Sequence, residues 1–282
     1  MLNKNNFFIG CGAGWNEAKA VVFGAPFDGT TTYRPGARFA YRRMREESFG
    51  IETYSPYFDR DLGDIAAHDA GELELPFGVA AKALKQIELY TAKVIKSGKI
   101  PFMIGGEHLV TLGAVRAAAA AYPNLHVLHF DAHADLRDEY LGEKLSHSTV
   151  MRRIHELTGD KRIFQFGIRS GERGEFLFAR EHTYLTQNSF NGIEKAAETI
   201  GSAPVYLSVD LDVLDPSEFP ATGTPEAGGV RYTELIGAIA AASRLNIVAC
   251  DITELCPPYD VSGISTALAC KLLRELLLSV TK

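Results

Sequence analysis

Short runs rich in β-branched and aromatic residues recur along the chain, separated by longer stretches with helical spacing of apolar positions. KAVVFG (19–24), PFMIG (101–105), LHVLHFD (125–131), RIFQFG (162–167), PVYLSVD (204–210) and NIVACD (246–251) read as strands. Helices are expected near 79–97, 110–121, 148–157, 231–243 and 265–279. The first of them stops at Ser97-Gly98, a sequence that ends helices. Alternation of the two element types implies parallel strands joined by crossovers, with helices over both faces of a sheet.

Most of these strands run into a polar or glycine-containing stretch: GAPFDG, GGEH, DAHAD, GIRSG, DLDVLD and DITE. In an open parallel sheet, ligands bind beyond the carboxyl ends of the strands, so chemistry is expected in those six stretches. No fixed-period repeat, low-complexity segment or Ser/Pro-rich linker interrupts the chain, and residues 1–282 read as a single domain.

Composition narrows the partners. The 282 residues are 46% hydrophobic and 23% charged, a globular balance with enough length for a large core. A net charge of −6 argues against non-specific nucleic-acid binding and suits a cationic ligand. No apolar run reaches the ~18 residues of a membrane helix. The start, MLNKNNFFIGCG, has too few apolar residues for a signal peptide. Cys11, Cys250, Cys256 and Cys270 form no CxxC pair, so free thiols of a cytoplasmic protein are expected. GCGAG (10–14) lacks the third glycine of a dinucleotide loop and precedes the first strand instead of following it.

Three strand ends carry candidate metal ligands. In an extended segment, side chains two apart point the same way. Asp131, His133 and Asp135 therefore converge if the strand direction continues, and Asp210 and Asp212 repeat the spacing. His108, in GGEH, supplies a third cluster. Charged groups at the ends of buried strands are costly unless paired, and a metal explains all three together. Four carboxylates and two imidazoles are a hard, oxygen-rich set, larger than one zinc takes. Two divalent ions suit it, because four aspartates offset four positive charges. Manganese is the first choice, while cobalt, magnesium and zinc accept the same ligand types. A water shared between two such ions loses a proton near neutral pH and attacks an electrophilic carbon.

GGEH, HFDAHADLR, SHST and SVDLDVLDPSEFPATGTPEAGG together resemble the ureohydrolase family of arginases and agmatinases. The resemblance extends to GAPFDGTTTYRPGARFAYRRMREES (24–48) and DITELCPPYD (251–260), nearly the whole chain. It implies a three-layer α/β/α fold with a central, mostly parallel sheet of about eight strands. It places two Mn2+ on His108, Asp131, His133, Asp135, Asp210 and Asp212, the residues that the spacing had reached. It gives His147 the role of a proton relay at the mouth of the site and Glu254 that of partner to the substrate guanidinium, where a carboxylate binds a planar cation well. Asp135 would carry a proton to the leaving nitrogen, and Thr224 would shape the pocket floor. Arg34, Gly36 and Arg38 belong to a family segment and read as structural or at a subunit contact. The family tends toward homo-oligomers, trimers or hexamers.

The reaction so implied is hydrolysis of a guanidino compound, agmatine to putrescine and urea being the first reading. A sister activity on arginine, guanidinobutyrate or another guanidino acid, or on formiminoglutamate, is the second, and a non-catalytic binding protein on the same fold the third. The intact ligand set speaks against the third. Between the first two, the loop LRDEYLGEKLS (136–146) speaks for agmatine. Its Asp138, Glu139 and Glu143 would repel a carboxylate and welcome an ammonium, and Arg137 is the one residue that would reverse the preference.

Overall fold

The computed structural model describes residues 7–281, and residues 1–6, on which the signal-peptide reading partly rests, lie outside them. Ten strands form: β1 (Ala20–Ala25), β2 (Tyr54–Ser55), β3 (Arg60–Asp61), β4 (Ala67–Glu72), β5 (Ile100–Gly105), β6 (His126–Phe130), β7 (Ile163–Ile168), β8 (Tyr184–Gln187), β9 (Pro204–Asp210) and β10 (Asn246–Thr253). Eight helices accompany them: α1 (Ala40–Glu47), α2 (Ala80–Lys96), α3 (Val110–Ala121), α4 (Val150–Thr158), α5 (Arg173–His182), α6 (Ile193–Ile200), α7 (Tyr232–Ala242) and α8 (Ile264–Val280). Eight strands make one sheet in the order β4-β1-β5-β10-β9-β6-β7-β8, parallel at every pairing. The other two, β2 and β3, form a separate antiparallel pair.

Alternate side chains of each strand enter different cores, as the two-residue period requires. Val22, Phe102, Leu128 and Leu207 pack with α1, α6, α7 and α8 through Met44, Ile193, Ile239 and Leu273. Phe23, Met103, Val127 and Tyr206 pack with α2, α3, α4 and α5 through Ile87, Leu112, Ile154 and Ala179. The result is the three-layer α/β/α arrangement. No helix among the described residues is long and apolar enough to cross a membrane.

All six expected strands and five expected helices form, within three residues of the expected bounds. The missed elements are β2, β3, β4, β8, α1, α5 and α6, and several of them carry little apolar signal. AHDAGE of β4 and YLTQ of β8 are edge strands, and α1, AYRRMREE, buries only Ala40, Tyr41 and Met44. GCGAG runs beside β4, where Ala13 N donates to Ala67 O (3.0 Å), so no helix follows it to cradle a phosphate.

The topology creates the crevice. Strands β5 and β6 follow one another in sequence but are separated in the sheet by β10 and β9. Crossovers leaving such a switch point diverge over opposite faces and leave a gap at the carboxyl edge. Gly106 sits at that edge, where a Cβ would lie 1.9 Å from Phe27 O, so only glycine lets the GGEH turn pass.

Candidate active site

Four adjacent strands deliver the candidate residues from their carboxyl ends: His108 after β5, Glu254 after β10, Asp210 at the end of β9, and Asp131 after β6. His133 and Asp135 follow in the β6 loop and Asp212 in the turn after β9. The expectation that the β6 direction continues is not met. The strand ends at Phe130, and Asp135 has φ 52°, in the left-handed region that Asp tolerates better than most residues. A turn makes the three side chains converge. Asp131 Oδ1 accepts from His133 N (2.5 Å), and Asp210 Oδ1 accepts in the same way from Asp212 N (2.9 Å).

All six predicted ligands meet. His108 Nδ1 lies 2.9 Å from Asp131 Oδ2, 3.2 Å from Asp135 Oδ2 and 3.3 Å from Asp210 Oδ2. His133 Nδ1 lies 2.9 Å from Asp212 Oδ2 and 3.5 Å from Asp131 Oδ1. Asp131 thus turns one oxygen to each imidazole and stands between two donor groups. Burial and the neighbouring carboxylates push Asp210 well above the usual range, and Asp212 rises with it. Burial alone would lower His108 and His133. The aspartates facing them outweigh it and raise both.

This arrangement fits divalent cations. His108 Nδ1 is buried without a hydrogen bond of acceptable geometry, although three carboxylate oxygens surround it. A donor atom aimed into a ring of oxygens, with no proton well placed between them, suits an ion at the centre. His129, which the sequence reading passed over, lies within ligand range of the same group. Both of its nitrogens are engaged by other side chains. Gln165 Nε2 donates to Ala134 O (2.8 Å) and faces His129 Nδ1 at 3.0 Å, while Thr183 Oγ1 donates to Gln165 Oε1 (3.0 Å). That amide orientation leaves the His129 proton on Nε2, donated to Asp131 Oδ2 at 2.7 Å. His129 therefore fixes Asp131. On the other side, His108 Nε2 meets Ser208 Oγ (2.9 Å), which donates to Asp251 Oδ1 (2.7 Å). Tyr206 and Thr111 donate to the other Asp251 oxygen. Holding the second nitrogen of a liganding imidazole fixes its tautomer and ring orientation.

Glu254, with φ 65°, turns back over the cluster, and its Oε1 accepts from His108 N (2.7 Å). Burial, then Glu107 and Asp212, push its carboxyl well up. Thr224 Oγ1 reaches Asp212 Oδ2 at 3.4 Å. His147 opens the short helical turn before α4. Its N donates to Thr30 Oγ1 (3.1 Å), its Nδ1 lies 3.3 Å from the same hydroxyl, and burial lowers its pKa. Thr30 in turn donates through its hydroxyl (2.6 Å) and its N–H (2.8 Å) to Glu107, whose carboxyl burial pushes up to about 7. Glu107 and Thr30 were missed because in sequence they look like turn residues of GGEH and GTTTY. Arg38 pairs with Asp28, Gly36 N donates to Asp28 (2.9 Å), and Arg34 stacks on Tyr259, so this segment braces the wall.

His108, His133, Asp135, His147, Asp210, Asp212, Thr224 and Glu254 line a cavity of about 270 Å³. A larger groove beside Phe39, Leu73 and Phe77 contains none of the clustered imidazoles and lies apart from the site. At the cavity mouth the expected charges are rearranged. Of the 136–146 loop, only Arg137 and Tyr140 line the cavity. Asp138 turns to Arg153 (2.7 Å), and Glu139 and Glu143 face solvent. The mouth acids come instead from the start of α5: Glu172, 2.9 Å from Arg137 Nη1, and Glu175, 3.6 Å from Arg137 Nε. The Arg137 guanidinium also lies 4.5 Å above the Tyr140 ring. A one-dimensional count of loop charges could not see pairing by residues 35 or more positions away.

The model of the arginase family matches residues 18–279, and the chain belongs to that family. An agmatinase of Bacillus subtilis (strain 168) is 44% identical over 280 residues, 98% of this chain and 96% of that protein. The crystal structure of agmatine ureohydrolase of Thermoplasma volcanium superposes with a TM-score of 0.89 at 37% identity, covering 97% of this chain and 94% of that one. Proclavaminate amidino hydrolase from Streptomyces clavuligerus gives 0.86 at 32% identity, covering 93% and 92%. These last two relatives share the fold under names that differ in substrate.

Proposed function

We propose that the chain hydrolyses agmatine to putrescine and urea. Two divalent ions, Mn2+ first, would be held by His108, Asp131, His133, Asp135, Asp210 and Asp212. When bound, such ions supply Lewis acidity and make water nucleophilic near neutral pH. The protein's own groups do the rest. Glu254 accepts the guanidinium in the plane of its carboxylate. Asp135 takes the proton released by the attacking water and passes it to the leaving nitrogen. His147, held by Thr30 and Glu107, exchanges protons with solvent, a contribution of ~10²–10⁴ in rate. Thr224 steadies Asp212 at the floor. Operation in the cytoplasm as a trimer or hexamer belongs to the same proposal, and light scattering tests the assembly.

The observation that carries the substrate is the engagement of Arg137. A guanidinium paired with Glu172 and stacked on Tyr140 is less available to a substrate carboxylate. Glu172 lies at the exposed rim, where it can turn to a substrate ammonium. The same Arg137 supports the second reading, a guanidino acid, if it leaves Glu172 when substrate enters. Urea release from agmatine, arginine, guanidinobutyrate and formiminoglutamate, with metal content measured alongside, decides. Agmatine is expected to exceed arginine in kcat/KM by at least ~100-fold, about 2.7 kcal/mol. Faster turnover of guanidinobutyrate overturns the substrate and leaves the metal site standing. No urea from any compound at full metal occupancy favours a binding protein.

A further inference from the structure

Away from the cavity, the carboxyl-terminal ends of α4 and α5 meet at another group of donors. His155 Nε2 lies 2.7 Å from Asp160 Oδ1, and His182 Nδ1 lies 2.6 Å from the same oxygen. The three donor atoms lie within 4.8 Å of one another. Local backbone sets them there. Gly159 (φ 84°) and Lys161 (φ 59°) both adopt left-handed conformations and turn Asp160 back between the helices. Lys161 N donates to His182 O (2.7 Å) and pins the turn to α5. Both imidazoles rest on Phe178, His182 stacked at 4.2 Å and His155 edge-on at 4.9 Å, which limits their rotamers.

The surrounding charges leave room for a cation. Lys161 Nζ is drawn off by Arg180 O (3.1 Å) and Thr183 O (2.9 Å), and the Arg152 guanidinium lies 3.7 Å from the Phe178 ring centre. Glu181 adds negative charge 3.8 Å from His182 Nε2, the nitrogen turned away from Asp160. Asp160 is exposed, so solvent reaches the site.

We infer that His155, Asp160 and His182 form a second metal site, separate from the buried cluster, that takes a borderline transition ion such as Zn2+ with water completing the shell. Tetrahedral zinc holds its ligand atoms about 3.3 Å apart. The two contacts to Asp160 must lengthen by about 0.6 Å, and an exposed turn can move that far. Two imidazoles and one carboxylate favour zinc, nickel or copper over magnesium or manganese, whereas the buried cluster is richer in oxygen. The two sites would therefore sort ions by donor type. The new site also has structural leverage, because α4 and α5 begin beside His147 and Glu172 at the cavity mouth and end at this clamp. An ion there fixes the spacing of the two helices that carry the mouth.

The test uses untagged protein saturated with Mn2+ and freed of excess ion, then titrated with Zn2+. Zinc and manganese content are measured by mass spectrometry for the parent and for His155→Ala/His182→Ala. The parent is expected to bind one more zinc per chain than the variant, in the micromolar range, with equal manganese retained. At a hundredfold excess over Kd, zinc should raise the Tm of the parent on the order of 5 °C and leave the variant unchanged. If the double variant folds poorly, Asp160→Asn on the exposed turn should weaken zinc binding at least tenfold. Equal zinc content in parent and variants overturns the site. So does a Tm difference that is the same with and without zinc, which would mark the cluster as an ion-pair network only.

Discussion

The floor and the mouth of the cavity both hold carboxylates, under opposite conditions. On the floor, Asp131, Asp210 and Asp212 are buried, and burial with mutual repulsion raises Asp210 and Asp212. At the mouth, Glu172 is exposed and already paired with Arg137. A buried anion without a countercharge costs several kcal/mol, so the floor is complete only with cations in it. The mouth pair is partly screened by water and worth little, so its partners can be exchanged for a ligand. Under the proposed function, the floor serves the metal chemistry and the mouth serves choice of substrate.

Breaking the floor should have the largest effect. Asp131→Ala removes the carboxylate shared by both imidazoles. Turnover should fall on the order of 10³-fold or more, with loss of bound metal and little change in circular dichroism. Full activity with one tightly held ion or none would refute the two-ion reading. His129→Ala leaves every proposed ligand in place but frees Asp131. Metal affinity should drop about 10–100-fold, with activity recovered at saturating Mn2+. An unrecovered loss would move His129 from support to chemistry.

Changing the mouth should cost less and change selectivity instead. Glu172→Lys repels Arg137 from its resting place and removes an ammonium partner. The preference for agmatine over guanidinobutyrate should narrow by about tenfold, the size of one exchanged charge contact. An unchanged ratio would remove Glu172 from specificity. The smallest effect is on stability and concerns His147, whose folded-state pKa is lowered by burial. Between that value and the usual 6.5, the unfolded chain binds the proton that the folded one refuses. Stability therefore falls as pH drops through 6.5 and below, and is regained as pH rises. His147→Asn should reduce that acid sensitivity, read as the slope of Tm against pH between 5 and 7.

The sequence by itself determined the layers and the floor. Its apolar runs are long enough to mark the buried central strands, and the proposed ligands sit within a few residues of those strand ends. That nearness makes His108, Asp131, His133, Asp135, Asp210 and Asp212 readable from spacing, even though a left-handed turn at Asp135 does what strand alternation was expected to do. Tertiary structure decided whatever depends on partners distant in the chain. Edge strands β4 and β8 carry little apolar signal, because only the ladder of a neighbouring strand makes them strands. The loop acids Asp138, Glu139 and Glu143 looked like the mouth, yet α5 supplies Glu172 and Glu175, and Arg153 takes Asp138 away. Thr30 and Glu107 are 77 residues apart and become the support of His147 only when β1 and β5 lie side by side. Burial follows from the same assembly, and burial is what turns ordinary carboxylates into a site that needs cations.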